Sequence, residues 1–456
     1  MRTLGTHRFI VGHVLDALRL LPGESVHVVC TSPPYWGLRD FGLPPVPWPE
    51  VEYRPMPGLP PIRVPAWGGQ LGLEPTPEMY VAHLVLVFRE VWRVLRRDGT
   101  LWLNLGDSYA GSWGNYHPHS SLGKRGQQLK ESSRWNRRAY EGREDFLPPT
   151  AKPTGGLKEK DLAGIPWRVA FALQADGWWL RADVVWSKPN CLPESVGDRP
   201  TKSHEYVFLL AKSPRYFYDA EAVKEPAVTH FYDKRYLPGA PPRERSNEPW
   251  NLHGPLKPHS GFKALDTTCG RNRRSVWEIN TEPFSGAHFA VFPKALAEIC
   301  ILAGTSPMAC PACGAPWERV VERKRTLDGE PVEPGGWPTE GGRRLGPQGV
   351  GHWRFATAAE TVGWRPTCSC PGNDGSGRCV VLDPFGGAGT VTLAAMGLGR
   401  DSVYIDLKRE YAELALERCG FKGSGRLFDS HDWSLEEIPP AGAVQSPFSE
   451  GAVATL

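Results

Sequence analysis

Between Val380 and Cys419 strand-like and helix-like segments alternate without a break, and this run restricts the possible folds more than any other feature of the chain. Val380-Val381-Leu382 reads as a strand, Gly389 to Leu398 as a helix, Val403-Tyr404-Ile405 as a strand and Arg409 to Cys419 as a helix. Upstream, Leu84, Val85, Phe88, Val91, Trp92 and Leu95 share one helical face before an Arg97-Asp98-Gly99 stop, and Leu101 to Leu105 follows as a strand. The same unit recurs as a helix over Ile165 to Asp176 and a strand over Arg181 to Trp186, and Tyr206 to Leu210 is a further strand. Such alternation predicts an α/β fold with a doubly wound, mostly parallel sheet.

Four stretches interrupt the pattern: 43–70, 112–160, 222–275 and 324–365. They hold much of the excess of Gly (50) and Pro (45) in 456 residues, and they read as insertions. The net charge of +3 conceals a segregation. Segments 112–160 and 222–275 each contain ten Lys/Arg against five Asp/Glu, so the remainder of the chain is acidic by seven charges. No run of about 18 apolar residues occurs, and the first residues lack the layout of a signal peptide, which reads as a cytoplasmic protein without a membrane partner. In that compartment closely paired cysteines suggest metal before disulfide.

Two motifs carry chemistry. Val26 to Cys30 reads as a buried strand that runs into Thr31-Ser32-Pro33-Pro34-Tyr35-Trp36. Consecutive prolines end the hydrogen-bond ladder and leave a rigid set of acceptors at the carboxyl edge of the sheet, where α/β ligands bind. The Ser32 hydroxyl and the Pro33 carbonyl can hold both hydrogens of an exocyclic amine, drawing its nitrogen towards tetrahedral geometry and freeing its lone pair, while Tyr35 stacks on the base. The second motif, Asp383-Pro384-Phe385-Gly386-Gly387-Ala388-Gly389-Thr390, lies between a strand and a helix. It fails the G-x-G-x-x-G pattern, because the sixth position from Gly387 is Thr392. Asp383 would repel a pyrophosphate but suits a cationic amino group. Asp406, at the end of the next strand, suits ribose hydroxyls, although helix capping explains it equally well. A cationic, ribose-bearing ligand without phosphate fits S-adenosylmethionine.

With these motifs the chain resembles the amino-methylating DNA methyltransferases in their permuted order, in which the S/D-P-P-Y motif precedes F-x-G-x-G. Blocks at Gly68 to Gly72, Asn104 to Tyr109, Trp186 to Asn190, Arg199 to Tyr206 and His288 to Pro293 extend the similarity. The resemblance implies a Rossmann-like S-adenosylmethionine-dependent fold with inserted DNA-recognition segments. Ser32, Pro33, Pro34 and Tyr35 would hold the flipped base. Phe385, Gly387, Gly389 and Thr390 would line the cofactor pocket, with Asp383 near the methionine end and Asp406 on the ribose. His288 to Pro293 would close the cofactor site and lead into a helix. One departure stands out: where the family has Gly-Asp before the first helix, this chain has Gly12-His13, with Asp16 one turn later as a substitute. Serine at the first catalytic position is associated with the 4-amino group of cytosine and aspartate with the 6-amino group of adenine, so Ser32 favours cytosine and leaves adenine as the alternative. A non-catalytic DNA-binding protein on the same scaffold is the alternative from another class. The resemblance also implies double-stranded DNA and a cognate restriction endonuclease as partners, with monomer and homodimer both open.

A base must leave the duplex to reach such a pocket, which costs a few kcal/mol that phosphate contacts must offset. Arg134, Arg137 and Arg138, interleaved with Trp113, Tyr116, Trp135 and Tyr140, suit that task, as do Arg271, Arg273 and Arg274 in the second basic segment. Cys310, Cys313, Cys368 and Cys370 can supply four thiolates to a structural zinc in a small zinc-ribbon-like insertion, with Cys379 as a substitute ligand and unligated thiols as the alternative. The expected organisation is a catalytic half over 1–221, a target-recognition region over 222–275, a cofactor-binding half over 276–305 and 380–437, a metal-binding insertion over 306–379 and a loose tail over 438–456.

Overall fold

The computed structural model describes residues 5–38, 40–110, 156–194, 196–225, 270–282, 292–327, 330–331, 339–340, 343–344, 355–421 and 432–438. The expected tail lies outside them, apart from Ile438. The described chain forms two units: one of Met1–Tyr218, Ser275–Pro316 and Cys368–Leu456, the other of Asp219–Arg274 and Trp317–Thr367.

Nine described strands of the first unit form one sheet: β1 (Thr6–Val11), β2 (Val26–Thr31), β3 (Leu95–Leu105), β4 (Trp179–Ser187), β5 (His204–Ala211), β6 (Val276–Glu278), β7 (Val380–Asp383), β8 (Asp401–Asp406) and β9 (Asp432–Glu437). Their order is β6-β4-β5-β3-β2-β7-β8-β1-β9. Only β5 runs antiparallel to its neighbours β3 and β4; the other pairings are parallel. The mostly parallel sheet is the one expected. Helices α1 (Val14–Arg19), α2 (Pro77–Val94), α3 (Ile165–Ala175), α4 (Lys294–Gly304), α5 (Thr390–Gly397) and α6 (Arg409–Arg418) connect and cover the strands.

The crossover helix α2 shows how the sequence sets an element. Thr76 caps it by accepting from the Met79 amide at 3.2 Å, and Pro77 takes the first turn, where its missing N–H costs nothing. Its apolar face buries Leu84, Val85, Phe88 and Val91 completely, each contributing roughly 1.5–3 kcal/mol relative to exposure. The strand after it starts at Leu95 rather than at Leu101, because Arg96 to Gly99 continue the extended chain instead of forming a stop. No described helix is long and apolar enough to cross a membrane.

The proline-rich stretch 43–70 is also more ordered than its composition suggests. Val46–Trp48 pairs antiparallel with Trp67–Gly69, and Val51–Tyr53 with Ile62–Val64. Alternation accounts for the inner pair: Val51 and Tyr53 are buried and Glu52 between them is exposed.

The second unit redraws two expected boundaries. Spacing along the sequence puts 317–367 with the cysteines, yet these residues group with 219–274, while all four cysteines lie in the first unit. Its core element is an antiparallel ladder of Glu318–Leu327 with Phe355–Arg365, bulged at Val320/Val321. Arg319 grips Asp219 through both carboxylate oxygens at 2.8–3.0 Å, a bidentate pairing that fixes the ladder to the segment before it.

Candidate active site

In the sheet β2 and β7 are neighbours, but β2 leads through α2 to β3 on one side and β7 leads through α5 to β8 on the other. This reversal is a topological switch point, and ligands of open α/β sheets bind beyond the carboxyl ends of such strands. Both motifs meet there. A cavity of about 420 Å³ is lined by Ser32, Pro33, Pro34 and Tyr35 from the first motif and by Asp383, Phe385, Gly387, Thr390 and Asp406 from the second half. The Thr31 hydroxyl joins the two by donating to Asp383 Oδ1 at 2.7 Å.

The first motif is held by hydrogen bonds on every side. Ser32 Oγ donates to Tyr35 Oη at 3.1 Å, and Tyr35 Oη in turn donates towards Glu205 Oε2 at 2.8 Å, with Asn104 Oδ1 at 3.1 Å as the alternative acceptor. Asn104 Nδ2 also donates to Glu205, and Lys188 Nζ pairs with the other oxygen of that carboxylate. Tyr80 Oη donates to the Pro34 carbonyl at 2.7 Å, leaving the Pro33 residue on the cavity wall. With its proton turned to Tyr35, the Ser32 oxygen presents lone pairs rather than a donor. The expected stacking role of Tyr35 is constrained by this network, because its hydroxyl is tied down and its ring lies against Gly106. A Cβ built on Gly106 would sit 2.4 Å from that ring. Gly106→Ala is therefore expected to displace the Tyr35 ring and to lower turnover at this cavity by on the order of tenfold or more, measured by single-turnover kinetics against the parent protein.

The second motif forms a desolvated anionic cradle. Asp383 is 3% exposed, accepts from Thr31 and from the Phe385 amide at 3.1 Å, and meets no basic side chain among the described residues. Burial pushes its carboxyl up to about 7. Asp406 accepts from the Gly387 amide at 2.9 Å and the Lys408 amide at 2.8 Å, and burial holds it at about 6. The latter bond closes the turn into α6, and the same side chain lines the cavity. Gly386 allows the loop to lie on Tyr404, whose ring a Cβ would approach to 2.2 Å. Thr390 Oγ1 accepts from Arg418 at 2.7 Å and also faces the cavity. Gly389 is placed differently from the expectation: it does not line the cavity. It caps α5 at φ +72°, and a Cβ there would meet that of Ala415 at 2.7 Å, so it is needed for close helix packing.

His13 lines the cavity as the N-cap residue of α1, edge-on to Trp48, with its Nε2 buried and without a hydrogen-bond partner among the described residues. Asp16 does not substitute for a carboxylate there; it pairs with Arg19 at 3.2 Å and lies off the cavity wall. Phe292 lines the cavity just before α4, whereas His288 lies outside the described residues.

The remaining expected sites fall elsewhere. Arg134, Arg137 and Arg138 lie outside the described residues. In the second unit, Arg271 and Arg274 share the Glu225 carboxylate at 2.7 and 2.6 Å, and Arg273 Nε donates to the Val223 carbonyl, so one anion already offsets part of that cluster. The Sγ atoms of Cys310, Cys313, Cys368 and Cys370 all lie within 4.8 Å of one another, and Cys379 is buried outside that cluster. Glu205, Lys188, Asn104 and Tyr80 received no role from the sequence. Asn104, Lys188 and Glu205 fall within the blocks that extend the similarity, whereas Tyr80 is simply a buried residue of α2.

The sequence is extensively similar to known proteins. A family model described as DNA methylase, of the N6/N4 type, matches residues 26–310. The chain is 36% identical over 411 residues to the Type II methyltransferase M.SmaI of Serratia marcescens, covering 90% of each chain. It is 41% identical over 297 residues to the Type II methyltransferase M.Cfr9I of Citrobacter freundii, covering 65% of this chain and 72% of that one. Among solved structures, PvuII DNA methyltransferase (cytosine-N4-specific) aligns with a TM-score of 0.45 at 14% identity over 93% of this chain and 89% of that one.

Proposed function

Because this chain belongs to the N6/N4 DNA methylase family, we propose that it transfers a methyl group from S-adenosylmethionine to the exocyclic 4-amino group of a flipped-out cytosine in DNA. The observation that carries the reading is the single cavity in which Ser32 to Tyr35 and the Asp383 to Asp406 cradle face each other across the switch point.

The cradle fits the cofactor. Asp383 is a buried carboxylate in want of a cation and takes the ammonium of the methionine portion; Asp406 keeps a free acceptor capacity for ribose hydroxyls beside its two amide bonds. Phe385 and the glycine turn give the apolar and backbone walls. When bound, S-adenosylmethionine supplies an electrophilic methyl on a sulfonium. The protein's own task is to prepare the nucleophile. The Ser32 oxygen and the Pro33 carbonyl accept the two amine hydrogens, which localises the nitrogen lone pair for in-line attack, and the surplus proton departs to solvent. Ser32 orients; a serine hydroxyl is a poor base near neutral pH.

Serine at the first motif position supports cytosine over the 6-amino group of adenine. Incubation with DNA and isotopically labelled S-adenosylmethionine, followed by digestion to nucleosides and mass identification, is expected to yield 4-N-methyldeoxycytidine. Labelled 6-N-methyldeoxyadenosine would replace this reading by its alternative, and no label at all would favour a DNA-binding protein without catalysis. The Type II relatives support a role beside a restriction endonuclease of the same target sequence. For the basic segments, contact with phosphates remains the reading that their charge supports. Charge reversal at Arg271, Arg273 and Arg274 is expected to weaken DNA binding and flatten its salt dependence.

A further inference from the structure

We propose that Cys310, Cys313, Cys368 and Cys370 bind one zinc ion, and that the metal acts as a clasp that secures the joint between β2 and β7 from the edge of the sheet opposite the cavity. Four sulfurs within 4.8 Å of one another match a tetrahedral tetrathiolate, in which Zn–S bonds of about 2.3 Å set the spacing. The knuckle around them is already shaped for a ligand. Cys310 and Gly314 close a turn through the Gly314 amide at 2.9 Å, Gly314 takes φ +69°, and the Ala312 and Cys313 amides are directed at the Cys310 sulfur, where they favour a thiolate. The Asn373 amide side chain donates to Cys368 Sγ at 3.3 Å. Arg96, which also pairs with Asp98 at 2.9 Å, donates to the Cys313 carbonyl at 2.8 Å and so helps to fix the knuckle.

The link to the sheet runs through one imidazole. The Val380 amide donates to His27 Nδ1 at 2.9 Å, which places the ring proton on Nε2, and Nε2 donates to the Gly314 carbonyl at 2.6 Å. The β2–β7 ladder itself has only two registered pairs, Val28 with Val381 and Val29 with Leu382. His27 therefore extends that short joint at the amino-terminal end, as the Thr31–Asp383 bond does at the other. From His27 to Thr31 the strand rises roughly 13 Å, so the metal lies far from the transferring methyl and has no part in the chemistry. Its contribution is to hold the carbonyl of Gly314 that orients His27, and thereby to fix the two strands whose ends carry the motifs.

The test uses the full-length purified protein. Elemental analysis is expected to give one zinc per chain, and replacement by cobalt a tetrathiolate absorption spectrum. Removal with a chelator is expected to lower the melting temperature by roughly 10 °C or more and to speed amide exchange at Val380 and Val29, both reversed by added zinc. Cys368→Ser with Cys370→Ser should lose the metal, Cys191→Ser should keep it, and His27→Phe should keep the metal while losing the protection at Val380. Absence of stoichiometric metal, a disulfide within the cluster, or metal removal without change in melting and exchange would overturn the proposal. None of these readouts depends on the methyltransferase reading. Only a further arm, weaker S-adenosylmethionine binding after chelation, rests on it, so the two can fail separately.

Discussion

Asp383→Asn is expected to weaken S-adenosylmethionine binding about a hundredfold. Asparagine is nearly isosteric, and its side-chain oxygen can still accept from Thr31 and the Phe385 amide, so the loop should keep its shape. What disappears is a charge-assisted pair in a site 3% exposed, and bonds to a charged group contribute about 1.5–3 kcal/mol, or roughly one to two powers of ten. The wild-type carboxyl should also give binding a characteristic pH dependence. Burial holds Asp383 at about 7, and the form that binds a cation is the carboxylate. Below that value a proton must leave on binding, so affinity should rise about tenfold per pH unit up to about 7, more steeply below about 6 where Asp406 also titrates. Affinity should then level off and fall again where the ligand's own amine deprotonates, near 8. The linkage to stability has the opposite sign. Both carboxyls are raised above their unfolded values, so their contribution to the ligand-free protein is complete below about 4 and is lost as pH rises through 6 and 7. Titration calorimetry in two buffers of different ionisation enthalpy would detect the released proton. An affinity independent of pH between 5.5 and 7.5, or normal binding by the Asp383→Asn variant, would exclude the ammonium contact.

Which parts of this site could be read from the sequence follows from burial. Strands β2 and β7 lie in the middle of the sheet and therefore appear as mainly apolar runs, interrupted in β2 by His27, with the motifs at their ends. Edge strands β6 and β9 carry no such signal. Val276 and Glu278 are exposed on either side of Trp277, and β9 is mostly polar apart from Trp433 and Leu435, held by main-chain pairing to β1, by the Arg8–Glu436 ion pair and by the Trp433–Phe421 stack. The support for Tyr35 was invisible for another reason. Glu205 reaches it only because β5 runs antiparallel between β3 and β4, setting Glu205 opposite Trp186 in one ladder and Asn104 opposite Val207 in the other. No local pattern encodes those two registers. The cysteine cluster is the converse case. Its cysteines were evident from short spacing, whereas the membership of the intervening 317–367 ladder was not, because the Arg319–Asp219 pairing that binds it elsewhere spans 100 residues.

Ser32→Ala is expected to lower single-turnover methyl transfer by roughly 10²–10³ while leaving S-adenosylmethionine affinity unchanged, the usual loss when one positioned hydrogen-bonding group is removed at a reacting centre. The reason lies in the direction of the proton chain. Ser32 Oγ donates to Tyr35, Tyr35 donates towards Glu205, and Glu205 is neutralised by Lys188, so along this stretch of the cavity wall the Ser32 and Tyr35 protons are already taken up within the network. The serine oxygen that remains can only accept, and in the proposed reaction it accepts an amine hydrogen. Alanine leaves the amine planar and its lone pair in the ring. Tyr35→Phe tests the chain separately. It keeps the Ser32 oxygen but frees its hydroxyl to turn, so the expected loss is smaller, about tenfold, and Glu205→Gln should resemble it. Full-rate transfer by the Ser32→Ala variant would show that the serine does not hold the amine. Equal losses in Ser32→Ala and Tyr35→Phe would instead place the decisive acceptor in the tyrosine network.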